Sequence, residues 1–319
     1  MSISAYAGAS DTGRKRRRNE DSYVIAPPLF AVADGMGGAQ AGEIASKLAA
    51  AALEDTDSGA LAGAERVVSL IQEANRRVYE RSNEDPNASG MGTTMTVALV
   101  EDGGVTIGHV GDSRAYRYRD GGIEQITEDH SLVNELMKSG KLSPEEAETH
   151  PQRSVITRAL GTDPDVDVDS FMVETQEGDV FLLCSDGLTT MVGDDEILVV
   201  LDKYRNDLDR ATKALVSAAN RGGGEDNITV IAFAISDGDE PAHVSSVEDT
   251  METPIAPTVD TMVVPPDQVE HVFVEPGSPE AEAVTRREPV SSAARVRLVL
   301  TMLGLLVIAA VLLVWGLVR

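Results

Sequence analysis

Short apolar and alternating runs dominate the start of the chain. Residues 3–7, 23–26 and 29–33 carry the strand pattern, and the last of these runs straight into Asp34-Gly35-Met36-Gly37-Gly38, a strand exit followed by a glycine-rich turn. Residues 39–53 and 61–81 switch to helical composition, with Val67, Leu70, Ile71, Ala74 and Val78 recurring on one face of the second. Strand character returns at 95–100, 105–109, 115–119 and 122–125. The Gly-Gly and Asp-Gly signals between these runs predict tight antiparallel hairpins.

Residues 131–158 break that rhythm. A short helix is expected around 132–138, then Gly140, then a second helix start in which Ser143 caps and Pro144 occupies the first turn. A small polar insertion of this kind reads as a flap over a site. Strands at 167–174 and 179–184, helices at 197–201 and 208–220, and a closing strand at 228–235 complete the patterned region. The pattern predicts an α+β domain over residues 1–236 with a large antiparallel component.

Beyond residue 236 the periodicity ends. Residues 237–297 are rich in Pro, Glu, Asp, Val and Ser and predict a disordered acidic linker ending in a basic juxtamembrane segment with Arg286, Arg287, Arg295 and Arg297. Residues 298–318 then contain no charge at all. As a helix they would extend about 31 Å, enough to cross the hydrocarbon layer. The arginines before this segment, against Arg319 alone after it, place the N-terminal side in the cytoplasm, and residues 1–8 carry no secretory signal. The expectation is a single-pass protein of the cell membrane whose folded domain is cytoplasmic.

Charge narrows the partners. The 319 residues hold 27 Lys plus Arg against 53 Asp plus Glu, a formal net charge of −26, which argues against nucleic acid as a general partner. The single cysteine, Cys184, excludes an intrachain disulfide and lacks the Cys-x5-Arg arrangement of a cysteine phosphatase. The basic run Arg14-Lys15-Arg16-Arg17-Arg18 stands out in so acidic a chain. Read alone it suggests nucleic-acid contact, which the overall charge argues against, or simply solvated loop charge.

The candidate chemistry lies in aspartates beside glycines or at strand ends: Asp34, Asp112 in Gly111-Asp112-Ser113-Arg114, Asp186 in Ser185-Asp186-Gly187, and Asp226 in Glu225-Asp226-Asn227. Carboxylates converging on one point need cations to neutralise them, and oxygen donors of this type select Mg²⁺ or Mn²⁺. Gly35 permits a turn through which a backbone carbonyl can join such a shell. A pair of ions held in this way is a common route to hydrolysis of a phosphate ester.

At this point the chain resembles the metal-dependent PPM/PP2C-type Ser/Thr protein phosphatases in their bacterial form. The resemblance covers residues 4–235 and rests on ordered motifs: Arg16 with Asn19-Glu20-Asp21, Asp34-Gly35-Met36-Gly37-Gly38, Gly92-Thr93-Thr94, Gly111-Asp112-Ser113-Arg114, Asp129-His130-Ser131, Ile156-Thr157-Arg158-Ala159-Leu160-Gly161, Ser185-Asp186-Gly187-Leu188 and Asp226-Asn227-Ile228-Thr229. It implies a four-layer α-β-β-α sandwich with two central, mainly antiparallel sheets and a binuclear Mn²⁺/Mg²⁺ centre. Within it, Asp34 would bridge both ions, the Gly35 carbonyl would bind the second, and Asp186 with Asp226 the first. Glu20, Asp21 and Asn227 would support the centre, and Asp112 with Asp186 would hold a weaker third ion. The same resemblance makes Arg16 the holder of the substrate phosphate, a task suited to its planar pair of donors. Where many eukaryotic members carry a histidine after Asp-Gly, this chain has Met36, which cannot protonate a leaving alkoxide.

The function expected is hydrolysis of phosphoserine and phosphothreonine monoesters on proteins, with membrane Ser/Thr kinases and their substrates as partners. The alternative is a catalytically weak phosphoprotein-binding scaffold at the membrane.

Overall fold

A computed structural model of the chain describes residues 1–37, 41–56, 61–148, 150–238, 243–244 and 248–249. The chain divides into Met1–Pro254 and Ile255–Arg319. The apolar segment 298–318 and most of the expected linker lie outside the described residues, among which no helix is long and apolar enough to cross a membrane.

Strands β1 (Ser2–Asp11), β2 (Asp21–Ala26) and β3 (Leu29–Met36) lead into helices α1 (Ala41–Asp55) and α2 (Gly63–Glu84). Then come β4 (Gly92–Thr93), β5 (Met95–Glu101), β6 (Gly104–Val110), β7 (Arg114–Arg119) and β8 (Gly122–Gln125), followed by α3 (Leu132–Lys138) and α4 (Pro144–Glu148) of the flap. The rest is β9 (Asp169–Glu174), β10 (Val180–Cys184), α5 (Asp186–Thr189), α6 (Asp194–Tyr204), α7 (Leu208–Gly222) and β11 (Ile228–Ser236). Two further pairs, β12 (His243–Val244) and β13 (Glu248–Asp249), run parallel to β1 beyond residue 236.

One sheet has the order β12-β1-β11-β10-β7-β8 and the other β2-β3-β5-β6-β9, and apart from the β12 and β13 pairs every pairing is antiparallel. Between them lies an apolar layer in which Phe30, Val32 and Ile107 of one sheet meet Phe181, Leu183, Ile231 and Phe233 of the other. Phe30 and Phe181 both stack on Phe233, with ring centroids 4.4 and 5.2 Å away. The outer faces are covered too. Ala45, Ala49 and Ala52 of α1 join Leu70 and Ile71 of α2 against Val97 and Leu99, while Ile197 of α6 and Ala211 and Leu215 of α7 join Leu182 and Val230. That double coverage explains why β3 and β10 read as continuous apolar runs. Small alanines let α1 approach its sheet closely. The result is the expected α-β-β-α layering.

Two of the expected hairpins form, β5–β6 and β7–β8. The one between β6 and β7 does not: β6 belongs to one sheet and β7 to the other, and Gly111-Asp112-Ser113 is the crossing between them. Gly111 makes the crossing possible. Its φ is +114°, a conformation L side chains rarely adopt, and a Cβ there would come within 2.6 Å of the Thr94 side chain. A turn that looked like a hairpin in sequence therefore delivers Asp112 to the mouth of the sandwich.

The flap leaves and rejoins the domain at one stem. Ser131 and Ile156 form an isolated bridge, the Leu132 N–H donates to the Val155 carbonyl at 2.9 Å, and the Thr157 N–H donates to the His130 carbonyl at 2.8 Å. Within the flap, Ser143 and Glu146 satisfy each other's backbone N–H groups at 3.3 and 2.9 Å, the reciprocal cap expected at the start of α4.

Candidate active site

Strand ends and crossings from both sheets meet at one edge of the sandwich. β2 and β3 pair so that Asp21 lies opposite Asp34. Asp112 comes from the sheet crossing, Asp186 begins α5 directly after β10, and Asp226 precedes β11. Gly35 is indispensable to this corner: a Cβ on it would lie 2.2 Å from the Gly42 carbonyl oxygen and 2.5 Å from that of Glu20, both backbone atoms with nowhere to move.

The backbone of Asp34 is held by bonds that do not engage its carboxylate. Its N–H donates to Thr94 Oγ1 at 2.9 Å, and its carbonyl accepts from the Thr94 N–H and Thr93 Oγ1, both at 2.9 Å. Asp21 is buried, and its Oδ2 accepts from Thr229 Oγ1 at 2.6 Å and Ser185 Oγ at 2.8 Å. Asn227 ties the Arg16 loop to the centre: its Oδ1 accepts the Glu20 N–H at 2.8 Å, while Nδ2 donates to the carbonyls of Thr12 and Arg18 at 3.0 and 2.9 Å. The loop is pinned a second time where the Arg14 and Lys15 N–H groups donate to the Gly224 carbonyl at 2.7 and 3.1 Å.

Electrostatically these carboxyls are in conflict. Burial, then the fields of Asp21, Asp186, Asp112 and Asp226, hold the Asp34 carboxyl well above the usual carboxylate range. Burial also pushes Asp21 up to about 7 against the pull of Thr229 and Ser185, and Asp112 to about 7 with Asp186 adding to it. Asp186 rises to about 6, through burial and then Asp226. Glu20 is raised, chiefly by burial.

One oxygen on each of Asp21, Asp112 and Asp186 is buried without a hydrogen-bond partner among the described residues. Orphaned acceptors at one edge, in each other's repulsive field, are what a hard divalent cation satisfies. The residues therefore fit Mn²⁺ or Mg²⁺. Among the described residues no three His, Cys, Asp or Glu side chains already close around one point. Asp21 is turned to its hydroxyl donors. Asp226 is turned to Arg16, whose Nη2 donates to Asp226 Oδ2 at 2.6 Å, and its Oδ1 accepts the Asn227 N–H at 2.8 Å. The roles expected for Arg16 and Asp226 require that ion pair to be exchanged for phosphate and metal.

Several residues at this edge lie within or beside the ordered motifs but had no role assigned from sequence. Ser185, unsuited to be a nucleophile for want of a base, acts as a donor to Asp21. His130 looks like an ordinary loop residue in sequence, yet it clasps the Asp112 crossing to the flap stem. Its Nδ1 accepts the Gly111 N–H at 3.0 Å, and its Nε2 lies 3.1 Å from Asp169 Oδ2 and 3.0 Å from Arg158 Nη1. Arg158 donates to the other oxygen of Asp169 at 2.6 Å. Arg114 grips Asp129 with paired bonds of 2.9 and 2.7 Å just behind Asp112. Cys184 is fully buried with its thiol pushed up to about 12 by burial, so it is a core residue.

Two hollows open at this edge. A small one of about 200 Å³ is lined by Arg16, Asp186 and Asp226, and a larger one of about 930 Å³ runs from Asp112 and Asp186 under the flap past Val133 and Met137.

Comparison with known proteins agrees with this architecture. A family model described as protein phosphatase 2C matches residues 15–221. Over 233 residues the chain is 41% identical to the serine/threonine phosphatase stp of Listeria monocytogenes serotype 4b, which covers 70% of this chain and 92% of that one. The crystal structure of the Mycobacterium tuberculosis serine/threonine phosphatase PstP/Ppp is similar with a TM-score of 0.69 and 40% identity, covering 73% of this chain and 99% of that one. A crystal structure of the catalytic domain of the serine threonine protein phosphatase PstP in complex with two manganese ions matches with a TM-score of 0.68 and 38% identity over 74% of this chain and 99% of that one. On these grounds the chain belongs to the protein phosphatase 2C family of metal-dependent Ser/Thr protein phosphatases.

Proposed function

We propose that the chain hydrolyses phosphoserine and phosphothreonine monoesters on proteins at a two-ion centre held by Asp34, the Gly35 carbonyl, Asp186 and Asp226, with Asp112 offering a third position. The observation that carries this is the set of orphaned, mutually repelling carboxyl oxygens beside a guanidinium at one edge of a phosphatase fold. When bound, the ions supply an activated water and neutralise the charge on the phosphate oxygens. The chain's own part is positional. Asp34 and Asp186 present oxygens from two different sheets, Glu20, Asp21 and Asn227 hold those strand ends in place, and Arg16 orients the phosphate once freed from Asp226. A binding scaffold without turnover is not favoured, because every expected ligand and Arg16 lie at the same edge.

The test is phosphate release from a phosphothreonine peptide with Mn²⁺ and with excess chelator. Release should require the ion. Arg16→Ala should raise KM for the peptide about tenfold or more, as loss of a charge-assisted phosphate contact does. Unchanged kinetics in that variant would remove Arg16 from the site.

We place this activity at the cytoplasmic face of the cell membrane, anchored by residues 298–318, where it would reverse signalling by membrane-associated Ser/Thr kinases. Tethering enzyme and substrate to one surface raises their effective concentration. Deleting 298–318 should move the protein from the membrane fraction to the supernatant of a cell lysate while phosphate release persists. Retention in the membrane would show that the segment is not the anchor.

A further inference from the structure

Arg153 of the flap is a cation bordering this edge that the site described above does not use. Arg153 is exposed, and among the described residues its side chain has no ion pair and no hydrogen bond. In a chain with 53 acidic residues against 27 basic ones, an arginine left uncommitted beside carboxylates is open to an anionic ligand. Most other arginines of the domain are paired: Arg16 with Asp226, Arg114 with Asp129, Arg119 with Asp179, Arg158 with Asp169.

Its position is defined. The Arg153 N–H donates to the His150 carbonyl at 3.1 Å, the Gln152 N–H to His150 Nδ1 at 3.2 Å and the Val155 N–H to the Gln152 carbonyl at 3.2 Å, a tight turn that ends on the anchored flap stem. From there Arg153 lines both hollows: the small one with Arg16, Asp186 and Asp226, and the large one with Asp112, Val133 and Met137. It therefore borders both the hollow beside Arg16 and the hollow beneath the flap.

We propose that Arg153 binds a second anionic group on the substrate, a carboxylate or a second phosphate on a residue near the one being hydrolysed, and so selects acidic or multiply phosphorylated segments. This rests on the phosphatase reading of the aspartate edge. Arg16 takes the phosphate being cleaved and the carboxylates around it repel any further anion, so a cation offset from the ions, on the flap side of the cleft away from Arg14, Lys15 and Arg17, makes a flanking negative charge there favourable. A guanidinium serves either oxyanion because its paired donors fit both. The apolar side chains of Val133 and Met137 further along the hollow leave Arg153 as its cation on the flap side.

The experiment measures phosphate release by the full chain with Mn²⁺ from three peptides of one sequence: a phosphothreonine with neutral flanks, the same with flanking aspartates, and the same with a second phosphothreonine. The unmodified protein should prefer one or both anionic peptides by about tenfold in kcat/KM, mainly through KM. Whichever is preferred identifies the source of the anion. Arg153→Gln should compress that ratio to less than about twofold, Arg153→Lys should retain part of it, and added salt should weaken it. Comparing ratios within each variant removes any change in overall turnover, and a thermal melt checks that the fold is kept. A preference that survives Arg153→Gln would overturn the inference and assign the selection to Arg14, Lys15 and Arg17. Release without any preference would overturn it and leave the phosphatase reading intact, whereas no release from any peptide would overturn both.

Discussion

Asp34→Asn is expected to lower kcat by at least about 10³-fold, well beyond the 10–100-fold typical of residues that only support a metal ligand. The substitution keeps the side chain's shape and removes its charge. The fold should not suffer, because the backbone of residue 34 is held by Thr93 and Thr94 through main-chain atoms that asparagine also has. Stability without metal should hold or rise, since Asp34 lies in the combined field of Asp21, Asp186, Asp112 and Asp226. Two measurements on one sample decide it: phosphate release with Mn²⁺, and the thermal midpoint in chelator. Turnover within about tenfold of the unmodified protein would sink the proposed role of Asp34.

The metal-free protein should become less stable as pH rises from about 4 to 7, and Mn²⁺ should reverse that trend. In the unfolded chain an aspartate titrates near 3.9. In the folded protein Asp21 and Asp112 are pushed up to about 7 and Asp186 to about 6. Across that window the folded state keeps protons the unfolded state has released. Stability is therefore complete below the unfolded value and is lost as pH passes through the folded ones. For Asp21, which is buried, a displacement of this size corresponds to something on the order of 4 kcal/mol. The contributions of the three do not add, because each titrates in the others' field. A bound dication needs the carboxylates ionised, so its stabilisation grows over the same range. Thermal midpoints in chelator and in Mn²⁺ at pH 5, 6, 7 and 8 should diverge. A constant gap would mean that these carboxyls are not the ligands.

The elements were largely legible in the sequence because the packing obeys simple periods. The stripe of Val67, Leu70, Ile71, Ala74 and Val78 does face the sheet, and the closing strand pairs as its apolar run predicts. Boundaries moved by a few residues. The short α5 was not visible, since four residues are too few to show a period, and neither was the crossing at Gly111, where a glycine-bearing turn reads the same whether the chain reverses within a sheet or passes to another. The acidic residues of the site were legible through their glycine neighbours and the ordered motifs. The roles of their supports were not: Ser185, Thr229, Thr94 and His130 lie within those motifs, but they are ordinary polar residues until the fold places a carboxylate or a backbone N–H opposite each.

Local sequence by itself determined most of the strands and helices and which aspartates sit at strand exits, because these properties depend on residues within a few positions of one another. Tertiary structure alone decided that Asp21 lies opposite Asp34, that Asp112 arrives from a crossing between sheets, that Arg16 pairs with Asp226 across 210 positions, and that Arg153 has no side-chain partner among the described residues. Proximity between distant residues, and the shifts in protonation that follow from it, are set by how the sheets close on each other, and no local pattern encodes that.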